Sequence, residues 1–235
     1  MAVLHALADA PGDLGNNEIA RRTGINPSTV SRLLATLAQD QMVTRTPDSG
    51  RFRLGPRLVE LGNAALARVD MRQLGRPHLV ALTEATGETA TLSLPYGEAT
   101  ITVDFVQSPS SVRSVAEVGR PSVTHATAIG KVFLAHADAP PSPDPLPSYT
   151  RRTITEAAVL AAEVDATRAR GWAESVGERE DDLNAIAAPV LDAVGSLVAV
   201  LGLQGPAARF GRRAMLAAVD ELVTHSAQLS SANGR

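Results

Sequence analysis

The sequence predicts an α+β protein divided into two domains. Helical patterns fill about the first 40 residues, two short β-prone runs follow them, and strands and helices alternate over the remaining length. At 235 residues the chain is long enough for two domains. An apolar content of 44% with 20% charged residues is typical of a folded chain rather than a disordered one.

The composition excludes several classes of protein and site. The chain contains no cysteine, which excludes disulfides, cysteine nucleophiles and thiolate metal sites. No apolar run approaches the roughly 18 residues that a membrane span requires, and no signal-peptide pattern opens the chain. We therefore expect a cytoplasmic protein that makes no membrane contact.

Two short helices open the chain. The first is predicted over residues 3–8 and ends before Pro11 and Gly12. The second follows a cap at Asn16 or Asn17. It ends at Gly24, since glycine can adopt the left-handed conformation that closes a helix.

The third helix has two contrasting faces. Asn26 is a favoured N-cap, and Pro27 suits the first helical position. One face carries an apolar stripe of Val30, Leu33, Leu34 and Leu37. The other is built from short polar side chains and one guanidinium, namely Ser28, Thr29, Ser31, Arg32, Thr36 and Gln39. That face can lie against phosphates and base edges, as in the second helix of a DNA-binding helix-turn-helix. The alternative is an ordinary packed helix pair with a solvated outer face.

A hairpin is predicted directly after this helix. Residues 42–46 and 51–54 are β-prone and flank the turn-forming segment 47–50. Such a hairpin would place Arg45, Arg51 and Arg53 beside the third helix, as the wing of a winged helix-turn-helix does. Alternatively, Arg51 and Arg53 lie on a solvated edge of the hairpin and make no contact with DNA.

The charge distribution favours the DNA-binding interpretation. Residues 17–57 hold seven arginines against three acidic residues, a local charge of +4, although the whole chain carries −3. Arg21, Arg22 and the hairpin arginines are expected to contact phosphates. Arg32 is expected to contact a base, because a guanidinium can read guanine. The full predicted DNA-contacting set is Asn17, Arg21, Arg22, Asn26, Ser28, Thr29, Ser31, Arg32, Thr36, Arg45, Arg51 and Arg53.

A linking helix is predicted over residues 56–70. Its apolar stripe comprises Leu58, Leu61, Ala65, Leu66 and Val69. A helix that only bridges two domains through solvent should be polar all round. We therefore expect this helix to pack on the second domain or on its copy in another subunit.

The second part of the chain alternates strands and helices. Strands are predicted over 88–94, 99–106, 112–118, 172–176, 185–191 and 197–203. Helices are predicted over 125–136, 155–170 and 212–229, the last with Met215, Leu216, Val219, Leu222 and Val223 facing inward. The proline-rich segment 139–147 is predicted to be a loop outside the core.

Six segments in this order resemble the IclR family of bacterial transcriptional regulators. They are IARRTGINPSTVSRLLATL, RFRLGPRLVELG, HATAIGKVFLA, TRRTIT, RGWAESVGERE and AIAAPVLD. The resemblance covers nearly the whole chain and implies a winged helix-turn-helix domain over 1–54, a linking helix over 55–74 and a GAF-like effector-binding domain over 75–235. It also implies a DNA-binding homodimer or tetramer, a pseudo-palindromic double-stranded operator and a small-molecule effector. Family members usually carry further residues ahead of Val3, so the first helix is expected to be short.

The resemblance also implies an effector cavity. The matching positions are Ala128, Ile129, Ser175, Ala185, Gly202 and Gln204. Members that bind small keto acids tend to have more polar residues at the last four of these positions, so we expect a less polar or differently shaped ligand here. Burying a charged group without partners is costly. A small dicarboxylate is therefore unfavourable unless His125, Arg113 or backbone amides supply donors.

An enzyme reading finds little support in the sequence. The acidic stretch from Glu178 to Asp182 is contiguous, which favours a solvated loop over a metal site. Glu178 is the one position of this stretch that matches the family, and it is expected to be structural or to lie at the cavity rim. Gly130 and Lys131 lack the upstream glycine of a phosphate-binding loop. His125 is expected to be a structural hydrogen-bonding group. We expect no catalytic residue, no metal and no cofactor. A small-molecule-sensing module that pairs with proteins remains a further alternative.

Overall fold

The computed structural model describes residues 1–66, 70–114, 116–137 and 145–233. The chain forms two compact units, Met1–Arg68 and Val69–Arg235. The first contains helices and a short hairpin, and the second a five-stranded sheet with helices, which confirms the predicted α+β two-domain fold. The predicted boundaries at residues 54 and 74 stay a prediction.

The N-terminal unit packs three of its four helices and a hairpin around one core. Its elements are α1 (Ala2–Ala8), α2 (Asn16–Thr23), α3 (Pro27–Gln39), β1 (Val43–Arg45), β2 (Phe52–Leu54) and α4 (Pro56–Leu66). Helices this short are marginal in isolation, so their stability comes from tertiary packing. The buried core is Val3, Leu7, Leu14, Ile19, Ala20, Val30, Leu34 and Val43.

Two of the predicted helix ends are present. Gly24 follows α2 with a φ of 71°, the left-handed conformation that glycine adopts readily. The side chain of Asn26 accepts a hydrogen bond from the Ser28 backbone N–H at 3.0 Å and caps α3. Together they set the turn between α2 and α3.

The start of α2 differs from the prediction. Its N-cap is Gly15 rather than Asn16 or Asn17. The Gly15 N–H donates to the Glu18 carboxylate at 2.8 Å, so the acidic side chain closes the helix start. The Asn16 side chain instead donates to the Pro27 carbonyl at 3.1 Å and ties the start of α2 to the start of α3.

The apolar stripe of α3 is narrower than predicted. Val30 and Leu34 are buried, and Leu37 packs against the same core. Leu33 is 40% exposed, because it lies at the edge of the stripe rather than at its centre.

Between the hairpin and α4, the backbone at Gly55 lies very close to the backbone of residues 41 and 42. The Gly55 N–H donates to the Met42 carbonyl at 2.9 Å. A Cβ at position 55 would come within 2.1 Å of the Gln41 carbonyl oxygen, so only glycine fits there. This contact holds the end of β2 against the turn that follows α3.

The predicted linking helix corresponds to two helices. α4 ends at Leu66 and the next helix begins at Asp70, with residues 67–69 outside the described ranges. On α4, Leu58 is half-buried whereas Leu61 is 42% exposed. That the apolar stripe packs on the second domain or on its copy in another subunit therefore stays a prediction.

The C-terminal unit is built on an antiparallel sheet of five strands. Its elements in chain order are α5 (Asp70–Thr86), β3 (Thr89–Tyr96), β4 (Ala99–Val106), α6 (Ala128–His136), α7 (Ala157–Arg170), β5 (Ala173–Val176), β6 (Leu183–Leu191), β7 (Leu197–Pro206) and α8 (Arg212–Asn233). The strands lie in the order β4-β3-β7-β6-β5. Helix α6 packs on the sheet through Ala128 and Val132, while α5 and α8 contact one another and the sheet.

Three predicted elements of this unit are corrected. The described residues of segment 112–118 form no strand. α6 begins at Ala128 rather than at residue 125, because Thr127 accepts the Gly130 N–H at 3.0 Å and caps the helix. α7 begins at Ala157, with Glu156 rather than Thr155 at the cap position.

Predicted burial is corrected at three positions. Leu146, in the loop expected to lie outside the core, is buried against α6 and α7. Leu216 and Val223 on α8, predicted to face inward, are 47% and 37% exposed. The inward positions of α8 are Met215, Ala218, Leu222, Ser226 and Leu229.

Candidate functional site

The polar face of α3 lies on the surface of the N-terminal unit. Eleven of the twelve predicted DNA-contacting residues are exposed, and Arg51 is the exception. Arg32 stands on this face among short hydroxyl side chains. No bulky residue precedes it on the same face of the helix, which leaves the guanidinium free to reach a base edge.

Arg51 is engaged inside the N-terminal unit. Its Nη2 lies 2.5 Å from Glu18 Oε2, and its Nε donates to the Asp13 carbonyl at 2.7 Å. The Thr46 hydroxyl donates to the Asp13 carboxylate. Thr46 and Arg51 therefore both bond the segment that leads into α2. The hydrogen bond from Gly15 and the one from Arg51 hold the pKa of Glu18 below its usual value.

Arg45 and Arg53 lie on opposite faces of the hairpin. Arg45 stands opposite Phe52, with its guanidinium 5.9 Å from the centre of that ring. Arg53 stands opposite Thr44 on the other face. The two arginines can therefore approach different segments of a nucleic-acid backbone.

Five arginines of the N-terminal unit form no ion pair with any described residue. They are Arg21, Arg22, Arg32, Arg45 and Arg53. A guanidinium without an ion-pair partner can contact phosphate without first breaking an internal ion pair. Arg45 does donate a hydrogen bond from Nε to the Gly50 carbonyl at 3.3 Å. The positive charge predicted from the sequence is therefore available at the surface.

A cavity of about 540 Å³ lies in the C-terminal unit beside α6. Ser175, Ala185 and Gln204 stand side by side on β5, β6 and β7, because the strand register pairs each with the next. Five of the six predicted effector-site residues line the cavity: Ala128, Ile129, Ser175, Ala185 and Gln204.

The sixth predicted residue, Gly202, does not line the cavity itself but lies beside two residues that do, Thr91 and Ile129. It pairs with Thr91 across β3 and β7. A Cβ at position 202 would come within 2.7 Å of Thr91 Oγ1 and 3.2 Å of Ile129 Cδ1. A larger residue at position 202 would therefore collide with Thr91 and Ile129.

The sequence prediction did not include several residues that line the cavity. Most belong to the segment between β4 and α6, here called the strap (residues 112–123), and to the loop after β5. Neither segment carries a pattern that marks a binding site, and the strap resembles a strand in sequence. The missed side chains include Thr91, Thr102, Ser114, Glu117, Arg120, Ser122, Thr127, Arg179, Glu180 and Asp182.

The strap is fastened to the sheet at both ends. Gln204 Nε2 donates to Ser114 Oγ at 2.6 Å, and Arg209 donates to the Val112 carbonyl at 2.9 Å. Near its other end the Ser122 hydroxyl lies 2.6 Å from the Thr100 hydroxyl. Gln204 therefore lines the cavity and also bonds to the strap.

The side chains expected to receive a charged ligand are only partly available. His125 is buried, its Nε2 lies 2.8 Å from the Pro147 carbonyl oxygen, and it does not line the cavity. Arg113 lines the cavity but is exposed, and it donates to the Ser110 carbonyl at 3.3 Å. His125 is therefore placed as the structural hydrogen-bonding group that the sequence predicts, and it does not supply a donor to the described cavity.

The acidic segment after β5 contains a buried ion pair. Lys131 Nζ lies 2.7 Å from Glu178 Oε1 and donates to the Glu174 carbonyl at 2.9 Å. Thr153 donates to the Glu178 carbonyl at 2.6 Å and fixes the loop. Glu178 is therefore structural, as expected. Among the residues that the structure describes, no three histidine, aspartate or glutamate side chains are grouped to hold a metal ion.

The chain matches two family profiles and several characterised proteins. The profiles are the IclR helix-turn-helix domain over residues 1–47 and the bacterial transcriptional regulator IclR C-terminal domain over residues 63–232. The HTH-type transcriptional regulator BhcR of Paracoccus denitrificans is 32% identical over 97% of this chain and 83% of that protein. The glycerol operon regulatory protein of Streptomyces griseus is 34% identical over 88% and 83%. The crystal structure of an IclR transcriptional regulator from Alicyclobacillus acidocaldarius superposes with a TM-score of 0.84 at 27% identity, over 99% of this chain and 96% of that one.

The chain belongs to the IclR family of transcriptional regulators. As an IclR-type protein it is a DNA-binding regulator of transcription. The helix-turn-helix profile covers α2, α3 and β1, which carry most of the unpaired arginines. The IclR C-terminal profile covers the whole described cavity. None of the described helices combines the length and hydropathy of a membrane-spanning segment.

Proposed function

We propose that this IclR regulator binds a pseudo-palindromic operator as a homodimer or tetramer, with α3 of each head in the major groove. The observation that carries the proposal is the set of five unpaired arginines around the exposed face of α3. Arg21, Arg22, Arg45 and Arg53 contact phosphates, and Arg32 contacts a base. Arg51 supports the hairpin from within the unit rather than contacting DNA directly.

Replacing Arg32 by alanine tests the assigned base contact. A bidentate guanidinium–guanine contact contributes about 1–3 kcal/mol of discrimination, so operator affinity should fall about five-fold to 150-fold. Binding to unrelated DNA should fall much less. The measurement is a gel-shift titration on the operator and on a scrambled duplex, with Arg213→Ala as the control because Arg213 is exposed on α8 in the other unit. Unchanged operator preference in Arg32→Ala would remove this role.

We further propose that the cavity beside α6 receives the effector. The predicted residues converge there from α6, β5, β6 and β7. A ligand can change operator binding only if its affinity differs between the DNA-bound and free arrangements of the protein. In this proposal the segment from residue 55 to 75 carries that coupling.

A thermal-shift screen of metabolites tests the effector site, because a specific ligand raises the apparent stability of the folded state. An Ala185→Phe variant fills the cavity and should lose the shift while still binding operator DNA. A ligand that stabilises both proteins equally binds elsewhere and would contradict the assignment.

We infer that the protein acts without catalysis and in the cytoplasm, where an operator is accessible. The relatives it matches are transcriptional regulators. The alternative, a sensing module that pairs with proteins, predicts no DNA binding even at low salt. A gel shift at low ionic strength separates the two.

A further inference from the structure

The exposed face of α3 centres on Arg32. This residue lies on the side of the helix opposite the buried residues Val30 and Leu34. Ala35 and Thr36 follow one turn later, on either side of the line through Arg32, and both are exposed. A duplex that contacts the Arg32 guanidinium therefore also meets these two side chains.

The hydroxyl group of Thr36 is already bonded within the helix. Thr36 Oγ1 donates to the Arg32 carbonyl at 3.2 Å, the bond that a threonine in a helix can form to the carbonyl four residues earlier. This bond directs the hydroxyl toward the helix backbone and uses its proton. The branch of the side chain that remains for a partner is the methyl group Cγ2, so Thr36 offers an apolar contact.

The composition of α3 restricts which base edges this face can recognise. The helix contains no aspartate or glutamate, the residues that accept a hydrogen bond from the cytosine amino group. Ser28, on the turn before Arg32, donates its hydroxyl proton to the Asn26 side chain at 2.8 Å. The Arg32 guanidinium forms no ion pair with any described residue. The centre of the face therefore presents a guanidinium flanked by the methyl groups of Ala35 and Thr36.

Thymine is the base that matches a methyl group beside a guanidinium. Its C5-methyl is the only methyl group that the four bases present in the major groove, and threonine methyls contact it. Residues four apart on a helix have Cβ atoms about 5–6 Å apart, whereas successive base pairs lie about 3.4 Å apart. A guanine at Arg32 therefore places the base at Thr36 within about two base pairs.

We propose that Thr36 is a specificity-determining residue whose methyl group contacts the C5-methyl of a thymine beside the guanine that Arg32 contacts. Each half-site of the operator then holds a guanine and a thymine within about two base pairs of one another. Ala35 has no atoms beyond Cβ, so it allows the base edges to approach both side chains. This inference rests on the proposed function of α3 as the helix in the major groove, and it adds the base group that Thr36 recognises.

Deoxyuridine substitution tests the contact, because uracil differs from thymine only in lacking the C5-methyl group. The full chain is first used to select duplexes from a random-sequence library. Each thymine of the selected site is then replaced by deoxyuridine, one position at a time, and affinities are measured by gel shift. Loss of one buried methyl group corresponds to about a four-fold loss of affinity. We expect that loss at one thymine of each half-site, near the guanine whose preference Arg32→Ala abolishes.

Three variants separate the methyl group of Thr36 from its hydroxyl. Thr36→Ser keeps a hydroxyl that can bond to the Arg32 carbonyl but lacks the methyl group, so the thymine and uracil duplexes should bind equally. Thr36→Val keeps a methyl group and lacks the hydroxyl, so the preference for thymine should remain. Thr224→Ser is the matched control, because Thr224 is exposed on α8 in the other unit. It should keep the wild-type preference.

Two results would overturn the proposal. One is a selected site in which no single deoxyuridine weakens binding. The other is a preference for thymine that survives in Thr36→Ser or is lost in Thr36→Val. Both leave the selection of a specific duplex intact, so they contradict this inference and not the proposed function. A full chain that selects no duplex at low salt would instead contradict the proposed function, and this inference with it.

Discussion

At the scale of single residues, similar side chains take different roles according to what they contact. Arg51 and Arg53 are two positions apart on the same hairpin. Arg51 is bonded to Glu18 and the Asp13 carbonyl, whereas Arg53 has no ion-pair partner among the described residues. The sequence predicts both as DNA contacts, because alternation along a strand cannot show which arginine meets an acidic neighbour 33 residues away.

The residue-scale prediction compares these two arginines. Arg51→Ala removes the hydrogen bond to the Asp13 carbonyl, which contributes about 1 kcal/mol. Amide hydrogen exchange in β1 and β2 should therefore quicken about five-fold. Arg53→Ala should leave that exchange unchanged and weaken DNA binding. Equal exchange in the two variants would show that Arg51 does not hold the hairpin.

At the scale of elements, the sequence predicts most helices and strands because each has a local signal. Gly24, Asn26 and Gly171 mark helix ends through backbone preferences that need no tertiary partner. The errors fall where distant contacts decide. The strap resembles a strand, yet among its described residues the pairing with β4 is limited to an isolated bridge between Pro121 and Ile101. Its other hydrogen bonds include those to Gln204 and Arg209.

In the candidate site, too, the predicted residues are those that carry a sequence signal, and the missed ones are those whose position depends on distant contacts. Five of six effector-site positions line the cavity, because they lie on elements whose order matches the family resemblance. The strap residues and Thr91 lack any such signal. Thr91 becomes recognisable only when the register places Gly202 beside it.

The element-scale prediction concerns the contact between α5 and α8. His78 Nδ1 lies 2.8 Å from His225 Nδ1, and His225 Nε2 lies 3.2 Å from Glu221. Burial and then the charge of His225 lower the pKa of His78. The unfolded chain therefore binds a proton near pH 6.5 more readily than the folded one, so this contribution to stability is present above that pH and is lost as the pH falls.

Replacing His78 by glutamine should reduce the loss of stability between pH 7.5 and pH 5.5. By linkage, the pH dependence that this group gives to the free energy of unfolding corresponds to the uptake of at most one proton on unfolding. The measurement is urea unfolding at several pH values, followed through Trp172 fluorescence, with His5→Gln as the exposed control in the other unit. The same pH dependence in His78→Gln and wild type would contradict the prediction.

At the scale of the whole molecule, opposite charges are segregated along the chain. The N-terminal stretch from residue 17 to 57 carries +4, although the net charge of the protein is −3. A positive head on an acidic body concentrates attraction for DNA in one place. The binding constant for operator should therefore fall steeply with salt, because each phosphate contact releases counterions.

The molecule-scale prediction separates phosphate contacts from base contacts. Arg22→Ala should reduce the slope of log K against log salt by about 0.9 and leave base preference intact. Arg32→Ala should change base preference. Titrations between about 50 and 200 mM salt measure the slopes. A wild-type slope in Arg22→Ala would show that this arginine does not contact the backbone.

The buried pair of Lys131 and Glu178 has a practical consequence. Lys131 is the only lysine in the chain and is 1% exposed. Amine-selective reagents should therefore modify the native protein at its terminal amino group alone, while Lys131 reacts only when the C-terminal unit opens. Pulse labelling of Lys131, read by mass spectrometry, should accordingly report the opening of the C-terminal unit without any engineered probe, and a ligand that stabilises this unit should slow the labelling.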